Sequence, residues 1–362
     1  MNKKRIVHIV PSFGQGGVQT GMLYSLEDLN KVYDYRILVI TKMDDECKEW
    51  IKDLSPIHKS FIIDTGASGL INGWIKGYKI LKQLKPDFII SSMWKSVGLS
   101  VTFKMFHNKI GLAGFFHTSY TPHIPYFFWM KILVYFQNTC FADSNETKDY
   151  IARVYKIRHS HVIPYLFTFI KNNTPKNLDP NKIRIAYFGI ISKVKRLDRA
   201  LEFCRLCKLN GIKFGFDIYA RGPVEAYNKK IEKLGLTNEV VIKNVIPLNQ
   251  VVVTMQQYDF LLQLSDHEGM ALSVVEALNC GVVPIVTPVG EIGRYSKDGV
   301  NAIWLDREFD DNIQQLVDKL KKLLKCPASY NELSAAAANT FIHYKKYNDA
   351  LVEATDQYLD NN

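Results

Sequence analysis

The sequence predicts an α/β protein of two doubly wound domains with a cleft between them, on three observations. The chain has 362 residues, too many for one compact core at ~150 residues per domain. Short apolar runs alternate with amphipathic ones, which implies parallel strands joined by right-handed helical crossovers. The alternation stops at a polar stretch with two prolines, residues 172–181 (NNTPKNLDPN), and then restarts. Such a stretch reads as an interdomain linker. The expected division is a first domain over 1–170, a linker over 171–181 and a second domain over 182–340. A C-terminal helix, 341–362, would pack back on the first domain.

In the first domain the strand candidates are residues 5–10, 35–40, 61–64, 87–91, 110–116 and 140–142. Helical periodicity covers 70–84 and 145–155, the second with Ser144 as N-cap. After the linker, strands are expected at 183–189, 214–219, 240–243, 260–264 and 282–287. Helices fit 198–209, 224–234, 250–257 and 272–279, and helical segments over 311–324 and roughly 331–359 close the chain. In folds of this kind ligands gather at the carboxyl ends of the strands.

Composition narrows the class. Hydrophobic residues make up 47% and charged residues 23%, which excludes a disordered or collagen-like chain. The longest mostly apolar stretch, 126–136, is about eleven residues and contains Lys131, short of the ~20 that span a bilayer. The opening Met1-Asn2-Lys3-Lys4-Arg5 leads into a short strand-like run, so no signal peptide is expected. Six cysteines make no disulfide framework, and a reducing cytoplasm is the simplest compartment. Residues 1–170 carry 21 Lys+Arg against 13 Asp+Glu, whereas 171–362 carry 25 against 23. The basic first half reads either as a surface facing something anionic or as the bias of a generally basic proteome. No nucleic-acid module is recognisable.

The stretch 265–281 (SDHEGMALSVVEALNCG) is the most informative. A strand runs out into Ser265-Asp266-His267-Glu268-Gly269, and a helix begins near Ala271 or Leu272. Gly269 allows close backbone approach, and the free N–H groups of the helix start form an anion site. Glu268 lies just before the helix and Glu276 just over one turn into it. Set a sugar's length from a phosphate, two such carboxylates accept hydrogen bonds from vicinal hydroxyls, each about 1.5–3 kcal/mol. Taken alone, Glu276 also reads as an ordinary acid near a helix start.

Glu268 through Glu276 resembles the Glu-x7-Glu signature of retaining GT-B glycosyltransferases, specifically the large fourth family, glycosyl transferases group 1. The flanking ALNCGVVPIVTPVGEI resembles that family's strand and glycine-rich turn. The resemblance extends over nearly the whole chain and implies a GT-B fold, two Rossmann-like β/α/β domains facing across a cleft. It also implies that Glu276 holds the donor's ribose hydroxyls, Glu268 the transferred sugar, and the Gly269, Met270, Ala271 and Leu272 amides the diphosphate. The run 187–198 (YFGIISKVKRLD) is similar to the family's Gly-Arg-(x)4-Lys-Gly segment, with Gly189 ending the strand and Lys195 as the family lysine. Ile190 stands at the arginine position and Arg196 at the second glycine. Either Arg196 supplies the second charge from another angle, or phosphate binding is weakened. Ala220-Arg221-Gly222-Pro223 resembles the family's Gly-x-Gly-Pro turn, and Val245 and Ile246 fall where backbone meets the nucleotide base.

In the first half, residues 11–20 (PSFGQGGVQT) follow the first strand and open a helix. Gln19 stands where a dinucleotide fingerprint needs its third glycine, and the second strand ends Ile40-Thr41-Lys42 without the acid of an NAD site. The loop instead resembles the family's Gly-Gly element, with Gly16 and Gly17 under the donor diphosphate. His117 ends the run KIGLAGFF where a family histidine contacts the reacting sugar. A neutral imidazole would bond a hydroxyl there, and an imidazolium would stabilise negative charge. Cys204 and Cys207 form a lone Cys-x-x-Cys, and no Asp-x-Asp occurs, so no metal is expected. The aromatic stretch 120–136 reads as a buried helix or as an apolar face dipping into a membrane.

The expected activity is therefore metal-independent, retaining sugar transfer from a nucleotide diphosphate sugar, UDP-linked in the first instance, with no other cofactor. His117, Glu268 and Lys195 are the candidate catalytic residues. The acceptor would be a saccharide or lipid-pyrophosphate-linked saccharide of bacterial surface-polysaccharide assembly, handled by a cytoplasmic protein peripheral to the inner face of an anionic membrane. First-domain loops 66–73 and 94–98 would set specificity. The rival readings are a nucleotide-sugar epimerase of the same fold and a non-catalytic sugar-nucleotide-binding protein.

Overall fold

The computed structural model describes residues 3–14, 16–167, 176, 178–306 and 312–360. The chain divides into two compact units, one of residues 1–167 with 345–362, the other of 168–344. Most of the expected linker, 171–181, lies outside the described residues.

The first unit is a parallel sheet of β1 (Arg5–Val10), β2 (Asp34–Val39), β3 (Ile62–Asp64), β4 (Phe88–Ser92), β5 (Gly111–Phe116), β6 (Thr139–Ala142) and β7 (His161–Val162). Their spatial order is β3-β2-β1-β4-β5-β6-β7. The strands read as near-continuous apolar runs because helices cover both faces. Val7, Ile9, Leu38, Ile89 and Leu112 are buried in this unit's core. The helix Asn145–Tyr155 starts where Ser144 accepts the Thr147 amide at 3.1 Å, the cap its sequence announces.

The second unit repeats the plan with β8 (Ile183–Ile190), β9 (Phe214–Arg221), β10 (Val240–Lys243), β11 (Phe260–Gln263), β12 (Val283–Val286) and β13 (Ile303–Trp304). The order is β10-β9-β8-β11-β12-β13, again parallel. Its own core gathers Ile185, Phe203, Phe216, Phe260, Leu262 and Ile285. In both units the order reverses beside the first strand, at the β1/β4 and β8/β11 boundaries.

The closing helix expected over roughly 331–359 is two helices, Pro327–Ala338 and Tyr347–Leu359, in different units. Pro327 sets the earlier start, since its fixed φ suits the first helical turn. Asn339 and Thr340 end that helix by bonding back to the Ala335 and Ala336 carbonyls, the competition that makes such residues poor in helix interiors. The second helix joins the first unit: the Tyr347 amide donates to the Leu166 carbonyl at 2.8 Å, and Tyr33 Oη donates to Asp356 at 2.6 Å. Strands β7 and β13, two residues each, are too short to show a period.

Candidate functional site

In the second unit Lys195 comes from the loop after β8 and Glu268 from the loop after β11, on either side of the order reversal where open α/β sheets collect ligands. Lys195 Nζ lies 2.7 and 2.8 Å from the two Glu268 carboxylate oxygens. The Glu268 side chain is 6% exposed and that of Lys195 28%. Gln263, at the end of β11, donates to Glu268 Oε1 at 2.6 Å, and its own oxygen accepts from Ser273 Oγ at 2.6 Å. Ser273 belongs to the first turn of the helix Leu272–Asn279. One helix therefore orients an amide that, with a lysine, orients a carboxylate. Because the lysine compensates Glu268, an anion approaching this rim does not meet a bare negative charge.

The loop into that helix is held from behind. Gly290 has φ +57°, and a Cβ there would stand 2.0 Å from the Glu268 carbonyl oxygen, so a side chain is excluded. The Glu291 amide donates to the Gly269 carbonyl at 3.1 Å and Tyr295 Oη to the Met270 carbonyl at 3.0 Å. Ala271 takes the left-handed conformation at φ +56°, and no side chain caps the helix. Uncapped first-turn amides carry partial positive charge. Glu276, farther along the helix, is 4% exposed. Burial, and then the Glu276 charge, push the nearby Cys280 thiol up to about 12.

The basic turn after β8 divides its charges. Lys195 turns to Glu268, whereas Arg196 is clamped, with Nη1 3.2 Å from both Asp266 oxygens and Nε 3.3 Å from Asp198. Arg199 reaches the same Asp266 at 2.7 Å. Burial opposes the Asp266 charge, but the two guanidinium groups outweigh it and hold the carboxyl below its usual range. Arg196, Asp198 and Asp266 line a cavity of 470 Å³ with Lys193 and Tyr227. Ile190 is the register partner of Arg221 at the end of β9, and the Ile191 amide donates to the Arg221 carbonyl at 2.8 Å. Gly189 precedes Ile190 on β8. Val245 and Ile246 follow the edge strand β10, two strands away from β8.

The remaining candidates belong to the first unit. Gly16 is the N-cap of the helix Gly17–Val32, which no side chain caps. His117 follows β5. Its Nε2 lies 2.8 Å from Ser92 Oγ and its Nδ1 3.1 Å from Tyr165 Oη. Ser92 also meets His8 Nε2 at 2.7 Å, and His8 Nδ1 meets Tyr35 Oη at 2.7 Å. A single hydroxyl thus joins the imidazole of His8 on β1 to that of His117 just after β5, and the chain Tyr35–His8–Ser92–His117–Tyr165 is satisfied with every proton running one way. Burial lowers the His117 pKa to about 3 and that of His8 well below 6.5, so both rings are neutral near pH 7. His117 borders a 370 Å³ pocket with Trp94, Lys95, His123, Tyr126 and Met130, within the ~300–1,000 Å³ of small-molecule sites.

The structure brings together Lys195, Glu268 and Gly269–Leu272, with Glu276 on the same helix. It sets Arg196 against its own carboxylates. Sequence reading missed Gln263, Ser273, Gly290, His8, Ser92 and Tyr165. The polar breaks in RIVHIV and FLLQL were the available signals for His8 and Gln263. Among the described residues no group of three His, Cys, Asp or Glu side chains is placed to hold a metal ion.

Two parallel sheets, each wrapped by helices and each reversing order beside its first strand, define a protein of the GT-B class. Residues 169–340 match the family described as glycosyl transferases group 1. Over 218 residues the chain is 26% identical to a GDP-mannose:cellobiosyl-diphosphopolyprenol alpha-mannosyltransferase of Xanthomonas campestris, covering 58% of this chain and 56% of that one. A protein of the same description from Xanthomonas oryzae pv. oryzae is 22% identical over 255 residues, covering 68% and 66%. The matches thus span between about half and two thirds of those relatives' length. Among solved structures, Anabaena Alr3699/HepE in complex with UDP and glucose superposes with a TM-score of 0.78 at 16% identity over 99% of both chains.

Proposed function

We propose that the protein moves a sugar from a nucleotide diphosphate sugar to a lipid-linked saccharide, with retention of anomeric configuration. The observation that carries this reading is the Lys195–Glu268 pair beside an uncapped helix start at the β8/β11 boundary. In this reading the amides of 269–272 and the Lys195 ammonium receive the diphosphate. Glu268 accepts from hydroxyls of the transferred sugar, and Glu276 from the ribose. As the glycosidic bond loosens, charge builds on the departing diphosphate, and prepositioned cations and amides stabilise it by a few kcal/mol each, on the order of 10²–10³ in rate per donor. The acceptor hydroxyl attacks from the face the diphosphate leaves, and a leaving phosphate oxygen takes its proton. Arg196 is held by Asp198 and Asp266, and Arg221, in register with Ile190 at the end of β9, is the other cation to test in this role.

Both ring nitrogens of His117 are engaged by Ser92 and Tyr165, so in this reading the neutral ring walls the first unit's pocket, and a sugar hydroxyl bonds it only by displacing one of those partners. The Xanthomonas relatives, whose names carry a diphosphopolyprenol acceptor, support a lipid-pyrophosphate acceptor in surface-polysaccharide assembly at a membrane. The Anabaena structure with UDP supports a uridine donor, and GDP-mannose is the donor to measure against it. The test is a thermal-shift panel of UDP-, GDP- and ADP-sugars followed by transfer to membrane-extracted lipid acceptors. A true donor at 100 times its dissociation constant stabilises by about 2.7 kcal/mol. A panel without any binder defeats the reading, as does conversion of the donor to an isomer without acceptor.

A further inference from the structure

The first unit carries a surface that neither of its candidate sites uses. The helices Leu70–Leu84, Val97–Phe106 and Ile124–Phe136 pack in succession, the middle one against both neighbours. Trp74 of the first meets Trp129 of the third edge to face at 5.5 Å between ring centroids. The helix Ile124–Phe136 has two apolar stripes rather than one. Tyr126, Met130 and Leu133 are buried, and on the opposite side Ile124, Phe128, Ile132 and Tyr135 are exposed, Tyr135 by 83%. These four follow the i, i+4, i+8, i+11 spacing of one helix face. On the helix Leu70–Leu84 the same spacing exposes Ile71, Ile75, Lys79 and Lys82. Met105 and Phe106 end the middle helix exposed. A soluble surface shows single apolar residues, but a run shared by three neighbouring helices marks a contact surface.

Charge says what it contacts. From residue 70 to 136 the chain has eight lysines, no arginine and one acid, Asp87. Asp87 accepts from the Arg5 amide at 2.7 Å, at the amino end of β1, so the outer faces of the three helices carry no carboxylate. Lys76, Lys79, Lys82, Lys85, Lys95, Lys109 and Lys131 are exposed. A second copy docked through this face would bring lysines against lysines. Phosphate headgroups over acyl chains satisfy both components, with the apolar side chains sinking to the acyl boundary and the ammonium groups staying at headgroup level. Met130 of the third helix lines the His117 pocket from the buried stripe, so pocket and face share one element.

Resting on the lipid-linked acceptor reading, we propose that these three helices are the surface by which the protein lies on an anionic bilayer, presenting the pocket where the acceptor's headgroup lies. The test is co-sedimentation of the full chain with vesicles of phosphatidylcholine alone and of phosphatidylcholine mixed with phosphatidylglycerol. Binding is expected to the mixed vesicles, weakened by salt. Triple reversal Lys79→Glu, Lys82→Glu, Lys131→Glu should weaken it about a hundredfold or more. Ile124→Ser with Phe128→Ser and Tyr135→Ser should weaken it at least tenfold, on the order of one lost apolar anchor. All six positions are exposed, and unchanged melting temperatures verify the folds. Equal binding to both vesicle types, or unchanged binding by both variants, overturns the proposal. So does a dimer in solution that Phe128→Ser dissociates. Vesicle binding without transfer from any donor would leave the docking face standing and remove the sugar-transfer reading, whereas transfer with vesicles ignored would do the reverse.

Discussion

Lys195 places its ammonium between both carboxylate oxygens of Glu268, at 2.7 and 2.8 Å, while Gln263 holds one of those oxygens from the other side. The pair is asymmetric in burial, with Glu268 nearly sealed and Lys195 partly open. Lys195→Ala strands a buried carboxylate, whereas Glu268→Gln leaves a lysine that can turn to water. Lys195→Ala should therefore cost the greater stability, about 1–3 kcal/mol, and adding Glu268→Gln should recover part of it. Urea denaturation of the two single variants and the double variant measures this coupling. Additive losses would show that the two side chains do not depend on one another. Each single variant should also lower sugar transfer on the order of 10²–10³-fold.

Gly290 is a backbone requirement of the same site. With φ at +57° and the Glu268 carbonyl where its Cβ would stand, Gly290→Ala must displace the 268–270 loop. The expected loss exceeds about 1 kcal/mol, and the donor-dependent thermal shift should shrink with it. A variant that melts and binds like the parent would mean that the loop has room to spare.

Arg196 and Arg221 are tested separately as the second cation. Arg196 is already compensated by Asp198 and Asp266, so Arg196→Ala should leave the donor dissociation constant within about threefold. Arg221→Ala, beside Ile190, should weaken it tenfold or more, the order expected for one charge-assisted contact of about 1.5–3 kcal/mol. Calorimetric titration with the donor ranks them, and the reverse order would return the second cation to Arg196.

His117 should titrate far below neutrality. Its folded pKa, lowered by burial to about 3, lies beneath the ~6.5 of an unfolded histidine. Between these values the unfolded chain binds the extra proton, so the stability contribution is complete above about pH 6.5 and is lost as pH falls. The slope is at most about 1.4 kcal/mol per pH unit for each such histidine, and His8 adds to it in the same sense. Imidazole NMR across about pH 4–8, which brackets the ~6.5 of a free histidine, should show both rings neutral down to the acid end. A His117 midpoint near 6.5 would contradict this. Ser92→Ala, which leaves a buried ring nitrogen without its partner, should cost about 1–3 kcal/mol.

Much of this arrangement is legible in the sequence because it rests on local signals. Ser144 announces the helix Asn145–Tyr155, apolar runs announce the strands, and Glu268-Gly269 announces the loop that leads into the uncapped helix Leu272–Asn279. Contacts between distant segments are not legible. Nothing in SKVKR shows that Lys195 turns to Glu268 while Arg196 is taken by Asp198 and Asp266, because the left-handed step at Arg196 (φ +46°) decides which way each side chain faces. His8 and Ser92 lie 84 positions apart and meet only because β1 and β4 are neighbours. The helix Ile124–Phe136 misleads for a related reason: hydrophobic all round, it suggests burial, yet only one of its two apolar stripes has a covering surface in the unit.

In the proposed function the amides of 269–272 and the Lys195 turn receive the diphosphate of the sugar donor. Backbone hydrogen–deuterium exchange with and without the donor found in the thermal panel tests it most directly. Bound donor should slow exchange at the amides of Gly269, Met270, Ala271 and Leu272 and in the loop 192–196. Donor that binds while leaving those amides unchanged would place the nucleotide elsewhere and contradict the account.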